Sequence, residues 1–357
     1  MNKIVFTGGG TAGHVTPNLA IMQQLGERGW EMSYIGSRDG IEREIIEHEG
    51  IPYHPIASGK LRRYFDLKNL KDPFRVLQGI GQAHGLLRRI RPHIVFSKGG
   101  FVSVPVIIAS RMLGIPVISH ESDLTPGLAN RISMPFVSRI CVTFPETLSH
   151  IRGEKGTCTG LPIREQMLHG KASRGIALCD FHTQKPVLFI MGGSLGAQRI
   201  NQAIRSSLEQ LLQRYQIIHI CGKGHADAAL NGIRGYRQFE YVKDELPELL
   251  ACADLVVSRA GSTSIFEFLT LQKPMLLIPL SRQASRGDQI LNADSFARQG
   301  FARVLQEEEL TPESLADGLA ALQEDSEAMK RRMAASPYGN GTDSIVKLID
   351  RFKLTGS

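Results

Sequence analysis

The sequence predicts an α/β protein made of two similar domains, each built on a parallel sheet. Strand-like and helix-like segments alternate along the chain, which is typical of parallel sheets covered by helices. A glycine-rich turn follows the first strand, and a similar turn returns at Gly192, about half a chain later. With 357 residues, the chain is longer than a single core usually supports. Two Rossmann-like domains are therefore expected.

The first strand, turn and helix predict a site for an anion. Lys3–Thr7 is a short apolar run that ends at glycine, which indicates a buried strand. Gly8–Gly10 follows, and residues 18–25 carry apolar side chains at helical spacing. Such a turn points backbone N–H groups and a helix N-terminus at one spot, which suits a phosphate. His14 lies in this turn. It has either a structural role, as a packed or capping residue, or a functional role at the phosphate site.

Dinucleotide binding is an alternative for the same turn. Gly8, Gly10 and Gly13 match the spacing of the dinucleotide fingerprint. That fingerprint also expects an acidic residue at the end of the second strand, about 20 residues further on. Here the strand runs into Gly-Ser-Arg, and the first acid is Asp39. The sequence therefore favours a different phosphate ligand.

Composition and cysteine usage indicate a cytoplasmic globular protein. The chain is 42% hydrophobic and 22% charged, and no apolar run approaches the ~20 residues that span a bilayer. Its start leads directly into the first strand, so no signal peptide is expected. The five cysteines are scattered and form no Cys-x-x-Cys pair. They predict reduced thiols and argue against a zinc site.

One segment concentrates the positive charge of the chain, whose formal net charge is +7. Residues 60–93 contain nine Lys or Arg and two Asp, with Leu61, Tyr64, Phe65 and Phe74 among them. The segment is either a solvated helix face or a patch for an anionic membrane surface. No nucleic-acid-binding motif accompanies the charge, so nucleic acid is not an expected partner.

Polar residues follow several later strands, where parallel sheets bind ligands. In the first half, Lys98-Gly-Gly and His120-Glu121 come directly after predicted strands, and a strand near Arg139–Thr143 is expected to be the last. Gly160–Arg164 reads as a hinge. In the second half, Gly192–Gly196 follows a strand and precedes a helix predicted over Ala197–Leu212.

The turn after Ser258 has two interpretations. Ser264 and Glu267 have the spacing of a helix capping box, which would make Glu267 structural. Alternatively, the backbone N–H groups of Gly261–Thr263 hold a diphosphate and Glu267 accepts hydrogen bonds from ribose hydroxyls. The chain has no Asp-x-Asp motif to hold a metal beside a diphosphate. Helix N-termini, hydroxyl groups and an arginine such as Arg164 would therefore balance the negative charge of the phosphates.

Six motifs stand in the order of one family: Gly8-Gly-Gly-Thr-Ala-Gly-His-Val-Thr-Pro17, Lys98-Gly-Gly-Phe-Val102, His120-Glu121, Gly192-Gly-Ser-Leu-Gly-Ala197, Arg259-Ala-Gly-Ser-Thr263 with Glu267, and Asp288-Gln289. Over its whole length the chain resembles the MurG transferases of glycosyltransferase family 28. The resemblance implies a GT-B fold, with two Rossmann-like domains facing across a cleft, over residues 1–160 and 161–336. Residues 337–357 would form a helix that crosses back to the first domain.

The resemblance also implies a reaction. N-acetylglucosamine would pass, with inversion and without a metal or other cofactor, from UDP-N-acetylglucosamine to the 4-hydroxyl of a muramyl sugar. That sugar is carried on undecaprenyl pyrophosphate, so lipid I would become lipid II in peptidoglycan synthesis. The enzyme would lie peripherally on the cytoplasmic face of the cell membrane.

The site residues follow from the same resemblance. His14 would be the catalytic base, since a positive helix N-terminus disfavours the imidazolium form, with His120, Glu121 and Asp123 as rivals. Asp123 stands where many members carry asparagine, and Ala12 replaces a usual glycine. The donor-binding residues would be Thr11, Ala12, Gly13, Arg164, Ser194, Val242, Ser262, Thr263, Glu267 and Gln289.

Three other functions share parts of this pattern. A diacylglycerol glycosyltransferase would share the fold and donor but use another acceptor. A UDP-N-acetylglucosamine 2-epimerase would change the sugar nucleotide without any acceptor. A regulator that only binds nucleotide sugars would catalyse no reaction of the sugar nucleotide.

Overall fold

The computed structural model describes residues 2–59, 72–182, 184–193, 197–282 and 287–354. The chain divides into two compact units. One comprises Met1–Arg164 together with Asn340–Ser357, and the other comprises Glu165–Gly339. These divisions lie a few residues beyond the boundaries expected at 160 and 336.

The first unit is built on a parallel sheet that has seven strands within the described residues. Across the sheet the order is β3-β2-β1-β4-β5-β6-β7, so the direction of strand addition reverses between β1 and β4. The strands are β1 (Lys3–Thr7), β2 (Glu31–Ser37), β3 (Tyr53–Ile56), β4 (Ile94–Ser97), β5 (Val117–Glu121), β6 (Arg139–Val142) and β7 (Gly156–Cys158).

The expectation that the strand at Arg139 ends this half is wrong, because β7 pairs with β6 at the edge of the sheet. The Gly-Thr-Cys sequence of β7 has no apolar run that could predict a strand. The helices of this part of the chain are α1 (Thr16–Glu27), α2 (Ile41–His48), α3 (Asp72–Ile90), α4 (Ser103–Met112) and α5 (Leu128–Ser133).

Both faces of the first sheet are buried. Successive side chains of a strand point to opposite faces, so Ile4 and Phe6 enter one core while Val5 enters the other. Helix α1 contributes Leu25 to the first core, and α4 contributes Val106 to the second. This two-sided burial explains why the strands read as continuous apolar runs.

The second unit repeats the plan with a parallel sheet of six described strands. Its order is β10-β9-β8-β11-β12-β13, with the reversal between β8 and β11. The strands are β8 (Val187–Met191), β9 (Gln216–Ile220), β10 (Tyr236–Phe239), β11 (Leu255–Ser258), β12 (Met275–Leu277) and β13 (Ala302–Val304). The predicted pair of parallel α/β domains is confirmed.

The helix predicted over Ala197–Leu212 is in fact two helices, because the backbone leaves helical geometry at Ser207. A longer helix begins at Pro312, where Thr311 and Ser314 form a capping box. The remaining helices are α6 (Ala172–Cys179), α7 (Gln198–Ser206), α8 (Leu208–Arg214), α9 (Leu246–Cys252), α10 (Ser262–Thr270), α11 (Asp288–Arg298), α12 (Pro312–Ala334) and α13 (Thr342–Leu354).

The last helix, α13, belongs to the first unit. Its residues Ile345 and Ile349 are fully buried in the same core as α1. At the rim of this contact, Arg28 forms an ion pair with Asp350 at 2.6 Å. Apolar burial therefore holds α13 in place, while the partly exposed ion pair adds little.

The basic segment is described only in part, since residues 60–71 lie outside the described residues. Its residues Asp72–Ile90 form α3, which exposes 75% of Phe74 and 65% of Leu77. None of the helices in the described ranges is long and apolar enough to cross a membrane.

Candidate active site

The first unit brings two glycine turns together at the carboxyl edge of its sheet. Strands β1 and β4 are neighbours, with Thr7 beside Ser97, so the turns that follow them lie side by side. Gly100 has a φ of +85°, and a Cβ on it would stand 2.3 Å from the carbonyl oxygen of Gly9. Only glycine fits this approach. The reversal of strand order makes this edge the expected place for a ligand.

The turn after β1 fixes the orientation of His14. The Nδ1 atom of His14 lies 3.0 Å from the carbonyl oxygen of Gly9 and 3.4 Å from Oγ1 of Thr11. A carbonyl oxygen can only accept a hydrogen bond, so Nδ1 carries the proton in the neutral ring and Nε2 carries the lone pair. The predicted residues at positions 11–13 share this turn with the ring.

His14 is not the N-cap of the following helix. The N-cap of α1 is Val15, whose side chain makes no capping hydrogen bond. The ring is half-buried and bonds back to the glycine turn. This geometry is compatible with the predicted role as a base, which stays a prediction.

Glu121 supports the loop after β5 and does not resemble an available base. It is 5% exposed, and its carboxylate accepts hydrogen bonds from the backbone N–H groups of Asp123 and Gly127, both at 3.0 Å. Nδ2 of Asn130 donates a third bond at 2.8 Å. Burial, and with it the charge of Asp123, raises the pKa of this carboxyl. Of the two acidic residues that were alternatives to His14 as the catalytic base, only Asp123, which is half-buried, remains a candidate.

His120 is equally enclosed. It is fully buried, and its Nε2 lies 3.0 Å from the carbonyl oxygen of Gly160, to which it must donate. Burial, together with the charge of Lys98, lowers the pKa of this histidine well below its ordinary value. His120 therefore ties β5 to the end of the first unit as a neutral ring.

The structure reveals a buried amine that the sequence showed only as part of a glycine motif. Lys98 is 1% exposed and donates to the hydroxyl of Ser122. Burial lowers its pKa to about 8, while the charges of Glu121 and Asp123 act in the opposite direction. A lysine directly before two glycines at a strand end was the signal available. Its place between β4 and the loop after β5 could be known only from the fold.

The second unit has the corresponding arrangement at its own reversal of strand order. Strands β8 and β11 are neighbours, with Met191 beside Ser258. Gly192 and Gly193 follow one strand, and the turn Arg259–Gly261 follows the other. Ser194, a predicted donor-binding residue, lies outside the described residues, as do residues 195 and 196.

Helix α10 points its N-terminus out of this second glycine turn. Gly261 is its N-cap, and Ser262 and Thr263 are its first residues. The N–H groups of a first helical turn have no partner within the helix and attract anions. A Cβ added to Gly261 would meet nothing within 4 Å, so no atom of the described residues crowds this N-cap position.

The capping-box interpretation of Glu267 is wrong. A capping box would need Ser264 as the N-cap, but Ser264 lies inside α10 and the N-cap is Gly261. Glu267 lies in the second helical turn and is 8% exposed. Its predicted contact with a ribose is compatible with this position and stays a prediction.

Three more of the predicted donor residues lie within the described residues. Gln289 is the second residue of α11. Its Oε1 accepts a hydrogen bond from the backbone N–H of Leu280 at 3.1 Å, which orients the side-chain amide. Val242 is buried after β10. Arg164 ends the first unit and follows Ile163, whose N–H and carbonyl both bond to the amide of Asn340 at 3.0 Å.

Arg259 has a structural function that the motif did not reveal. It is 7% exposed, pairs with the buried carboxylate of Glu307, and donates to the carbonyl of Ile278 at 3.1 Å. The same carboxylate accepts from the N–H of Ser281 at 3.2 Å. This pair therefore holds Ser281, which directly follows Leu280.

The sequence predicts that the protein binds no metal, and the structure does not test this prediction. Across the parts of the chain that are described, no three His, Cys, Asp or Glu side chains form a group that could hold a metal ion.

Two parallel α/β units, each with glycine turns at the reversal of its sheet, and one with a helix N-terminus at such a turn, define a class of enzymes that bind nucleotide-activated sugars. Sequence profiles identify the class more closely. The glycosyltransferase family 28 N-terminal domain matches residues 4–142, and the C-terminal domain of the same family matches residues 187–349. The chain belongs to glycosyltransferase family 28 and is a glycosyltransferase, which confirms the resemblance.

Relatives match over nearly the full length of the chain. A UDP-N-acetylglucosamine–N-acetylmuramyl-(pentapeptide) pyrophosphoryl-undecaprenol N-acetylglucosamine transferase 2 of Bacillus cereus is 58% identical over 349 residues, which is 98% of each chain. A Clostridium novyi protein described as the corresponding transferase is 55% identical over 352 residues, covering 98% of this chain and 99% of its own.

Solved structures give the same fold. The crystal structure of Acinetobacter baumannii MurG is 26% identical, with a TM-score of 0.78 over 98% of this chain and all of its own. The UDP-GlcNAc 2-epimerase of Neisseria meningitidis, solved with UDP-GlcNAc, is 14% identical, with a TM-score of 0.67 over 98% of this chain and all of its own. The second likeness shows the fold alone. The predicted GT-B fold class is confirmed.

Proposed function

We propose that the protein transfers N-acetylglucosamine from UDP-N-acetylglucosamine to the 4-hydroxyl of the muramyl sugar of undecaprenyl-pyrophosphoryl-MurNAc-pentapeptide. This acceptor is lipid I, and the product is lipid II of peptidoglycan synthesis. The observation that carries the proposal is the 58% identity, over 98% of both chains, to a relative described as this transferase. The two glycine-lined strand ends support it.

The donor is held through its diphosphate, ribose and base. The N–H groups of Ser262 and Thr263, in the first turn of α10, receive the diphosphate, helped by Arg164. Glu267 accepts from the ribose, and Val242 lies near the uracil. The amide of Gln289, oriented by its bond to Leu280, binds the sugar. The remaining contacts come from Thr11, Ala12, Gly13 and Ser194.

The transfer is a single displacement. The acceptor hydroxyl forms a bond to the anomeric carbon while the bond from that carbon to the phosphate oxygen breaks, and UDP leaves with the electron pair. The anomeric configuration is therefore inverted. The hydroxyl proton passes to Nε2 of His14, which holds the lone pair because Nδ1 donates to Gly9.

No metal or other cofactor is needed in this proposal. UDP leaves as an anion, and its charge has to be balanced during the displacement. Helix N–H groups, hydroxyls and the guanidinium of Arg164 supply that balance.

The acceptor's lipid tail stays in the bilayer, so the enzyme acts on the cytoplasmic face of the cell membrane as a peripheral protein. The exposed side chains of Phe74 and Leu77 are three positions apart on α3 and therefore share one face. Arg75 is exposed beside them. The sequence before α3 is also basic, and this combination of charge and apolar side chains suits an anionic lipid surface. Nucleic acid is not a partner in this proposal.

Analysis of the products tests the assignment. The enzyme is incubated with UDP-N-acetylglucosamine and either the muramyl lipid acceptor or diacylglycerol, and lipid products are analysed by mass spectrometry. We expect only the muramyl lipid to gain one N-acetylhexosamine, in the inverted configuration. Glycosylated diacylglycerol, or a 2-epimerised sugar nucleotide formed without acceptor, would instead identify one of the alternative functions.

A further inference from the structure

A fully buried carboxylate lies against the glycine turn of the first unit. Glu42, the second residue of α2, has no exposed surface. It accepts from the backbone N–H of Ser37 at 3.1 Å, from the hydroxyl of Ser37, and from the N–H of Gly10 at 3.3 Å. The sequence analysis assigned no role to Glu42.

The position of this carboxylate depends on a glycine on each side of it. A Cβ added to Gly9 would stand 2.5 Å from Oε1 of Glu42, and one added to Gly40 would stand 2.2 Å from Oε2. A side chain at either position would displace the carboxylate from its present place. The turn and the loop before α2 are thus shaped around the carboxylate.

The peptide group between Gly9 and Gly10 joins Glu42 to His14. Its N–H, on Gly10, donates to Glu42 at 3.3 Å, and its carbonyl, on Gly9, accepts from Nδ1 of His14 at 3.0 Å. A peptide group is planar, so fixing its N–H also fixes its carbonyl. A negative charge on the N–H side polarises the group and makes the carbonyl a stronger acceptor.

We propose that Glu42 is a positioning residue for His14. Through the Gly9–Gly10 peptide, its charge holds the imidazole in the form that carries the proton on Nδ1 and the lone pair on Nε2. The inference rests on the proposed function, since the lone pair matters only if His14 accepts the proton of the acceptor. Glu42 itself touches neither substrate.

The tautomer of His14 tests this inference without reference to activity. Protein labelled with ¹⁵N at histidine is observed by long-range proton–nitrogen NMR at alkaline pH, and the His14 signals are assigned by their loss in His14→Ala. We expect the Nδ1–H form to predominate in the wild type. Glu42→Gln, which keeps the shape but removes the charge, should shift the ring toward the Nε2–H form.

Two further variants make the result specific. Glu42→Asp keeps the charge but draws it back from Gly10, so it should produce the same shift. It also serves as the test variant if Glu42→Gln does not fold. Glu47→Gln is the matched control, because Glu47 lies on the same helix, is exposed and pairs with Arg43. It should leave the tautomer unchanged. An unchanged tautomer in both folded Glu42 variants would overturn the inference.

Kinetics supply the second test. A general base contributes roughly 10²- to 10⁴-fold, so we expect kcat to fall by about 10- to 100-fold in Glu42→Gln, with KM for the donor little changed. In a His14→Ala background, the same substitution should cost almost nothing more, because its effect passes through the ring. Independent, multiplying losses would overturn the positioning role. If the wild type released no UDP at all, the proposed function would fail, and the tautomer measurement would still decide whether Glu42 orients the ring.

Discussion

A Cβ on Gly100 would stand 2.3 Å from the carbonyl oxygen of Gly9, so the two glycine turns of the first unit pack backbone against backbone. Gly100 also has a φ of +85°, which disfavours any side chain. We therefore expect Gly100→Ala to lower the free energy of unfolding by more than about 2 kcal/mol. Turnover should fall as well, since Gly9 holds the ring of His14.

A glycine elsewhere in the same unit separates collision from backbone strain. Gly29 has a φ of +72°, but a Cβ there would meet nothing within 4 Å. Gly29→Ala should therefore cost only about 1–2 kcal/mol and leave turnover unchanged. Thermal unfolding and steady-state rates measure both variants. Equal costs in the two variants would show that the contact between the turns contributes nothing.

Glu267→Ala should weaken the binding of UDP-N-acetylglucosamine by about 1–3 kcal/mol, the usual loss for a hydrogen bond to a charged group. The fold should persist, because Glu267 does not cap α10. Titration calorimetry measures the affinity, and thermal unfolding measures the stability. Glu327→Ala, on the exposed side of α12, is the control and should bind donor normally. Normal affinity in a folded Glu267→Ala protein would remove this residue from the donor site.

Activity should survive chelation. The proposal balances the charge of UDP with helix N–H groups and Arg164, so EDTA should leave the rate of UDP release unchanged. The assay is run with enzyme pre-incubated in EDTA and then with magnesium or manganese restored. Loss of turnover that either metal repairs would contradict the metal-independent mechanism.

Binding to anionic vesicles should be peripheral and sensitive to salt. Each basic residue near an anionic surface contributes about 1 kcal/mol, which salt screens. Reversing Arg62, Arg63 and Arg75 to Glu should release the protein from vesicles in a sedimentation assay. Of these three, only Arg75 lies within the described residues, on α3.

The same triple variant separates membrane binding from catalysis. Turnover on a membrane-embedded acceptor should fall far more than turnover on a short-chain, water-soluble acceptor. A variant in which Arg237 and Arg298 of the second unit are reversed should stay on the vesicles. Equal losses on the two acceptors would assign the three arginines to the fold or the active site.

Acid should destabilise the second unit through His219. This buried ring bonds to Oδ1 of Asn201 at 3.0 Å and to the hydroxyl of Tyr236 at 2.9 Å. Burial, with the charge of Arg205, lowers its pKa from 6.5 to about 3. Between these two values the unfolded chain binds the extra proton, so the free energy of unfolding falls as pH drops through this window.

His219→Gln isolates this contribution, because an amide offers a donor and an acceptor but does not titrate. We expect the variant to be less stable than the wild type at neutral pH and to lose less stability toward pH 4. Denaturant unfolding across this range measures both slopes. Parallel slopes would show that His219 does not govern the acid response.

Regular elements were predictable from sequence wherever an apolar run met a glycine turn. This pattern predicted the turns after β1 and β11, together with the residues around His14 and Glu267. The short strand β7 and the break at Ser207 lacked such a signal. Their structure depends on neighbours in the sheet and in the core, which a local pattern does not contain.

The parts of the site that escaped prediction are long-range contacts. Nothing near Glu42 indicates that its carboxylate reaches Gly10, 32 positions away. Lys98 and Ser122 are brought together only because β4 and β5 are adjacent. The capping-box interpretation of Glu267 was wrong because it relied on local spacing alone. Ser264 and Glu267 have the spacing of a capping box, but the helix begins earlier, at Ser262.

Release of UDP from UDP-N-acetylglucosamine, followed with and without the muramyl lipid acceptor, tests the central claim most directly. The proposed displacement needs the acceptor hydroxyl as nucleophile, so UDP should appear only when this lipid is present, in amounts equal to the glycosylated lipid formed. UDP release that is the same without acceptor, or no release when both substrates are present, would contradict the proposed transfer.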